Sequence, residues 1–122
     1  MKRLPETEFE VMKIVWKSNP PITTGLIMEQ IGQEKGWKIQ TVVTLMKRLT
    51  ERGFLRSEKQ GKERFYYPLI EKDAYLGFET EHFMELYHKK SVLNLVNTLY
   101  KSDHLSDEDL ASLLKWVEEK RD

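Results

Sequence analysis

A chain of 122 residues with 20 basic and 20 acidic side chains and no cysteine accommodates one compact domain with an appendage. It does not accommodate a large enzyme core with a separate substrate domain. Without cysteine there is no disulfide framework, thiolate zinc site, iron–sulfur cluster or cysteine nucleophile, and the composition suits a reducing, cytoplasmic setting. No apolar run exceeds three residues, and no apolar stretch follows Lys2 and Arg3. Neither a membrane span nor a signal peptide is expected.

The formal net charge of +0 conceals a split. Residues 1–70 carry 13 basic and 8 acidic side chains, whereas residues 71–122 carry 7 basic and 12 acidic. The stretch from Lys35 to Arg64 holds nine basic residues against Glu51, Glu58 and Glu63. A local surplus of this kind suits a polyanion. The bland alternative is a solvated surface of mixed charge.

Residues 6–17 read as a helix, with Pro5 at its start and Phe9, Met12 and Trp16 at helical spacing. Asn19-Pro20-Pro21 stops it, and Ile22 is placed to pair as a short strand. Thr23 or Thr24 caps a second helix carrying Leu26, Ile27 and Ile31. Gly32 to Gly36 reads as a break, with Trp37 as an anchor after it.

Residues 40–52 form the most informative helix. Val42, Leu45, Met46 and Leu49 follow the i, i+3, i+4, i+7 pattern and face inward. The other side then carries Gln40, Thr41, Val43, Thr44, Lys47, Arg48 and Glu51, and Gly53 ends the helix. Leu55 to Gln60, a turn at Gly61-Lys62, and Glu63 to Pro68 read as a two-stranded hairpin with a basic tip. Helix, short strand, helix, helix, hairpin is the order of a winged helix-turn-helix. Winged domains that bind proteins share that order.

Residues 71–122 read as three helices: Glu71 to about Tyr87, Ser91 to Tyr100, and one capped by Ser106. Their apolar positions include Val92, Leu93, Val96 and Leu99, then Leu110, Leu113, Leu114 and Val117. Three short amphipathic helices are too few to close a core of their own. Packing against a second copy is the favoured reading, with folding back on the winged domain as its alternative. The expected architecture is mostly α with a small β wing. A winged-helix domain at 1–70 precedes a helical dimerisation domain at 71–122.

Catalysis finds little support. The histidines are His82, His88 and His104, and Glu81, Glu85 and His88 share a helix face that is more simply read as solvated. No HExxH, P-loop, dinucleotide or nucleophile-elbow signature is present. Neither enzyme activity, metal nor cofactor is expected. Lys47, Arg48, Lys62 and Arg64 are assigned to nucleic acid rather than to mere solubility, because they lie on the third helix and around the wing.

Three segments carry a resemblance. "LPETEFEVMKIVW", "QTVVTLMKRLTERGFL" and "SVLNLVNTLYKSDHLSDEDLASL" stand in the order and spacing of the penicillinase repressor family, the dimeric repressors of beta-lactamase and methicillin-resistance genes. The second of these resembles the family's recognition helix through Thr41, Val42, Thr44, Leu45, Arg48, Leu49, Gly53 and Leu55. The family often has a small residue and a proline ahead of that helix, where this chain reads Lys38-Ile39-Gln40. The family's copper-responsive branch has a cysteine-rich tail, which this chain lacks.

The resemblance implies a homodimer on a palindromic operator that blocks transcription. It also implies relief by a membrane sensor-transducer protease that cuts the C-terminal module, with Asn94–Leu95 as the matching bond. In that setting Gln40, Thr41, Thr44 and Lys47 reach base edges or nearby phosphates, and Val43 meets a thymine methyl. Arg48, Lys62 and Arg64 hold the DNA backbone. A winged-helix regulator answering to a small molecule or partner protein is the alternative, and a winged domain that binds only protein is a third possibility.

Overall fold

The structure, a computed structural model, describes residues 1–121. Its elements follow in the order α1 (Glu6–Lys17), α2 (Thr24–Ile27), a π-helical turn (Met28–Gly32), α3 (Gln33–Lys35), α4 (Ile39–Glu51), β1 (Leu55–Gln60), β2 (Glu63–Pro68), α5 (Lys72–His88), α6 (Val92–Lys101) and α7 (Asp107–Lys120). The fold is mostly helical, with a two-stranded antiparallel wing. Among the described residues, no helix is long and apolar enough to cross a membrane. The chain divides into two compact units, one running Met1–Phe78 and the other beginning at Glu79.

The first unit is a winged helix-turn-helix. Its core takes Val11, Met12 and Val15 from α1, Ile27 and Ile31 from the second helical stretch, and Val42, Leu45, Met46 and Leu49 from α4. Phe54, Leu55 and Tyr66 close it from the wing side. Thr23 starts α2 by accepting the Leu26 N–H on its hydroxyl at 3.1 Å, satisfying a donor the helix leaves open. Ile22 is fully buried and bridges Tyr66 through paired backbone bonds of 2.9 Å. That bridge ties the segment before the helix-turn-helix to the wing.

The expected break at Gly32 to Gly36 is shorter than the sequence suggests. The helical path continues through Gly32 and α3, and ends at Gly36. A Cβ on buried Gly32 would lie 2.6 Å from the Met28 sulfur. The glycine therefore leaves room for the Met28 side chain, and the helical path runs through it rather than ending there. Beyond α4, Gly53 at φ 83 turns the chain so that Phe54 N–H reaches the Leu49 carbonyl at 2.9 Å and Gly53 N–H reaches Thr50 at 3.1 Å. This is a Schellman cap, and it delivers Phe54 into the core and Leu55 into the wing.

The first unit also includes the start of α5. Tyr75 is fully buried, and its ring centroid lies 5.4 Å from Phe54, 5.8 Å from Phe9 and 5.8 Å from Trp16. Its hydroxyl accepts the Leu4 N–H at 2.8 Å. Tyr75, which lies in the stretch 71–122 assigned by sequence to the helical module, thus belongs to the first unit.

From Glu79 onward, His88 is the one buried side chain among the described residues. Ser91 caps α6, and Ser106 with Asp109 forms a reciprocal capping box on α7. The Ser106 backbone N–H and hydroxyl hold the Asp109 carboxyl below its ordinary range.

Candidate nucleic-acid interface

Burial of one face of α4 dictates what the other presents. With Val42, Leu45, Met46 and Leu49 inward, Gln40, Thr41, Val43, Lys47 and Arg48 are exposed and Thr44 is half-buried. The Thr44 hydroxyl donates to the Gln40 carbonyl at 2.9 Å. Its proton is thereby committed, and its oxygen remains open to an outside donor.

The wing stands beside this face. Its register pairs Ser57 with Tyr66 and Lys59 with Arg64. Alternation then puts Ser57, Lys59, Arg64 and Tyr66 on one side of the hairpin, and Arg56, Glu58, Phe65 and Tyr67 on the other. A groove runs between α4 and the first of these sides, lined by Val43, Lys47, Thr50, Glu51, Ser57, Arg64 and Tyr66. Arg64 donates to the Ser57 hydroxyl at 3.0 Å, which fixes the guanidinium at the groove wall. Burial raises the Tyr66 phenol pKa above its ordinary value, against a smaller lowering by the Arg64 charge. The phenol is therefore a neutral hydroxyl at the groove floor.

Of the residues assigned from sequence, Val43, Lys47 and Arg64 meet in this groove. Gln40, Thr41 and Arg48 are exposed on α4 but do not line it, and Lys62 stands at the hairpin turn. Sequence reasoning missed Thr50, Ser57 and Tyr66 as groove residues. The hairpin register would have found the last two, because the Gly61-Lys62 turn fixes which positions face each other.

Two of the nine basic residues between Lys35 and Arg64 are engaged elsewhere. Arg52 bonds buried Glu8 at 2.7 Å, joining the end of α4 to α1. Arg56 pairs with Glu58 at 2.7 Å and stacks 4.1 Å from the Tyr67 ring centroid, on the far side of the wing.

In the second unit, Val92 and Leu93 are 67% and 68% exposed, and Leu114 is 60% exposed. Leu110, Leu113 and Val117 are also exposed, whereas Val96 and Leu99 are half-covered. Asn94 lies in the first turn of α6, exposed, with half-covered Leu95 after it. Its backbone N–H donates to the Ser91 hydroxyl at 3.1 Å, and its side-chain oxygen lies 2.6 Å from His88 Nδ1.

Residues 4–119 match the family described as Penicillinase repressor. The chain is 28% identical to the Penicillinase repressor of Bacillus licheniformis, over 98% of this chain and 94% of the relative. It is 28% identical to the Methicillin resistance regulatory protein MecI of Staphylococcus aureus, over 90% of this chain and 89% of that one. Among solved structures, the DNA binding domain of the repressor BlaI superposes with a TM-score of 0.52 at 31% identity, covering 62% of this chain and 94% of that chain. The monomeric form of Bacillus licheniformis BlaI in complex with the blaP half-operator gives 0.51 at 30% identity, covering 61% of this chain and 89% of that one. A match across nearly the whole length, joined to a shared winged helix, decides the classification: the chain belongs to the penicillinase repressor family of DNA-binding transcriptional repressors, which are not enzymes.

Proposed function

We propose that the protein acts as a homodimer on a palindromic operator of beta-lactamase or related resistance genes, in the cytoplasm. Cleavage of the Asn94–Leu95 bond by a membrane sensor-transducer protease then ends repression. The observation that carries the DNA-binding part is the α4–wing groove, where Lys47 and Arg64 flank apolar Val43. Cations on both walls suit two phosphate strands, and the exposed Val43 side chain on α4 suits a thymine methyl.

Gln40 and Thr41 in the first turn of α4 are the candidate base readers beside Thr44, and Arg48 and Lys62 are candidate phosphate contacts. A relative bound as a monomer to a half-operator supports one winged unit per half-site. The dimer reading draws on Val92, Leu93, Val96, Leu99, Leu110, Leu113, Leu114 and Val117, which lack a covered core of their own from Glu79 onward.

Purified full-length protein selecting fragments from its source genome tests this reading. Two half-sites about one helical turn apart, upstream of resistance genes, are expected. Binding should fall steeply with salt. Fragments that share no sequence would sink the repressor assignment for this chain's own operator.

A further inference from the structure

A second cleft lies within the first unit, between α1 and the start of α5. Phe9, Lys13, Trp16 and Lys17 share one face of α1 at helical spacing, and Lys72 and Leu76 come from α5. None of these residues lines the α4–wing groove. The cleft encloses about 300 Å³, at the lower end of ligand pockets in general.

Its apolar wall is held in place from the core side. Trp16 Nε1–H donates to the Ile70 carbonyl at 2.9 Å, just before α5 begins. The Phe9 ring meets the Trp16 ring edge-on, at 6.2 Å between centroids. Fully buried Tyr75 backs both rings at 5.8 Å. Leu76 is 40% exposed, so part of its side chain is uncovered. This wall is formed before anything binds, and a ligand does not have to order it.

The charge around the cleft has one sign. Lys13, Lys17 and Lys72 are exposed, and no carboxylate is among the lining residues. Lys13 pairs with Glu10 at 2.9 Å, and its ammonium lies 5.3 Å from the Phe9 ring centroid. Lys17 and Lys72 have no ion pair among the described residues. Ammonium groups around an aromatic wall attract an anion with an apolar body. A nucleic-acid backbone would use the lysines but not the rings, and a peptide helix, about 10 Å across, is too wide for a space of this size.

We propose that this cleft binds a small organic anion with a flat apolar body, an aromatic carboxylate being the simplest. Its ring system lies against Trp16, Phe9 and Leu76, and its carboxylate meets the Lys17 and Lys72 ammonium groups.

Calorimetric titration of the full-length protein with 2-naphthoate, beside its neutral isostere 2-naphthalenemethanol, tests the site. Naphthoate should bind with a dissociation constant of about 0.1–1 mM, as suits a ligand of its size, and the alcohol about tenfold more weakly. In the NMR spectrum the Trp16 indole N–H signal should move on titration while those of Trp37 and Trp116 stay. Lys17→Met combined with Lys72→Met keeps the apolar stems and removes both charges. It should weaken naphthoate binding about tenfold and leave the alcohol unchanged. Leu76→Glu sets a carboxylate in the cleft and should abolish naphthoate binding. Equal affinity for acid and alcohol overturns the proposal, as does a stationary Trp16 signal or an unaffected double variant. Saturating sheared duplex DNA should leave naphthoate bound. If DNA displaces it, the three lysines belong to the nucleic-acid interface and the small-anion site falls.

Discussion

Arg64 and Lys62 lie two positions apart in the wing, but their surroundings differ. Arg64 is held by Ser57 at the groove wall, whereas Lys62 is free-standing at the turn. Both should contact phosphate, so Lys62→Ala and Arg64→Ala should weaken binding to all sequences alike. Each lost contact should reduce the slope of log affinity against log salt by about 0.9. Thr44→Ala should instead alter preference among operators, because its open oxygen faces the reading side of α4. Fluorescence titrations across a salt series distinguish the two behaviours, and an unchanged slope in both wing variants would remove the wing from the interface. The reading face of α4 was legible in the sequence because helical periodicity assigns each side chain to a side. The loss of Arg52 to Glu8 was not legible, since 44 residues separate the pair. No local pattern announces a contact of that kind.

At the scale of elements, α5 shows why the boundary was harder to read than the elements themselves. Its apolar positions are spread around the helix rather than gathered into one stripe, so the sequence marks the segment as helical without saying which neighbour covers which side chain. Tyr75 faces the winged core, where it meets Phe9, Trp16 and Phe54 and receives the Leu4 N–H. Tyr75→Ala should cost about 3–5 kcal/mol in the stability of this unit, as for other buried aromatic truncations. A fragment of residues 1–78 should fold with native-like cooperativity in a denaturant titration. A fragment of residues 1–70 should have a clearly lower midpoint, because it lacks that ring. Equal midpoints would mean that Tyr75 is a bystander. Gly32 shows the same limit: a glycine can stop one helix and stand inside another, and here the helical path runs through it with the Met28 side chain packed beside it.

For the whole molecule, the decisive contrast is between a first unit with a closed core and a stretch from Glu79 onward in which, among the described residues, His88 alone is buried. Exposed leucines and valines repeated along two amphipathic helices are what the proposed dimer would cover. A second copy of the same stretch offers the matching apolar face, and C2 symmetry would then set two reading helices against two half-sites. The acidic balance of residues 71–122 disfavours DNA as the covering surface, since phosphate would be repelled. Leu113→Ala combined with Leu114→Ala should therefore shift sedimentation toward the monomer. Tethering makes the second half-site encounter effectively intramolecular, at millimolar local concentration for short flexible linkers. The same double variant should accordingly lose affinity for a full operator while keeping that for a half-site. A variant that sediments as a monomer yet binds the full operator as tightly as the wild type would separate dimerisation from operator binding and overturn the proposed arrangement.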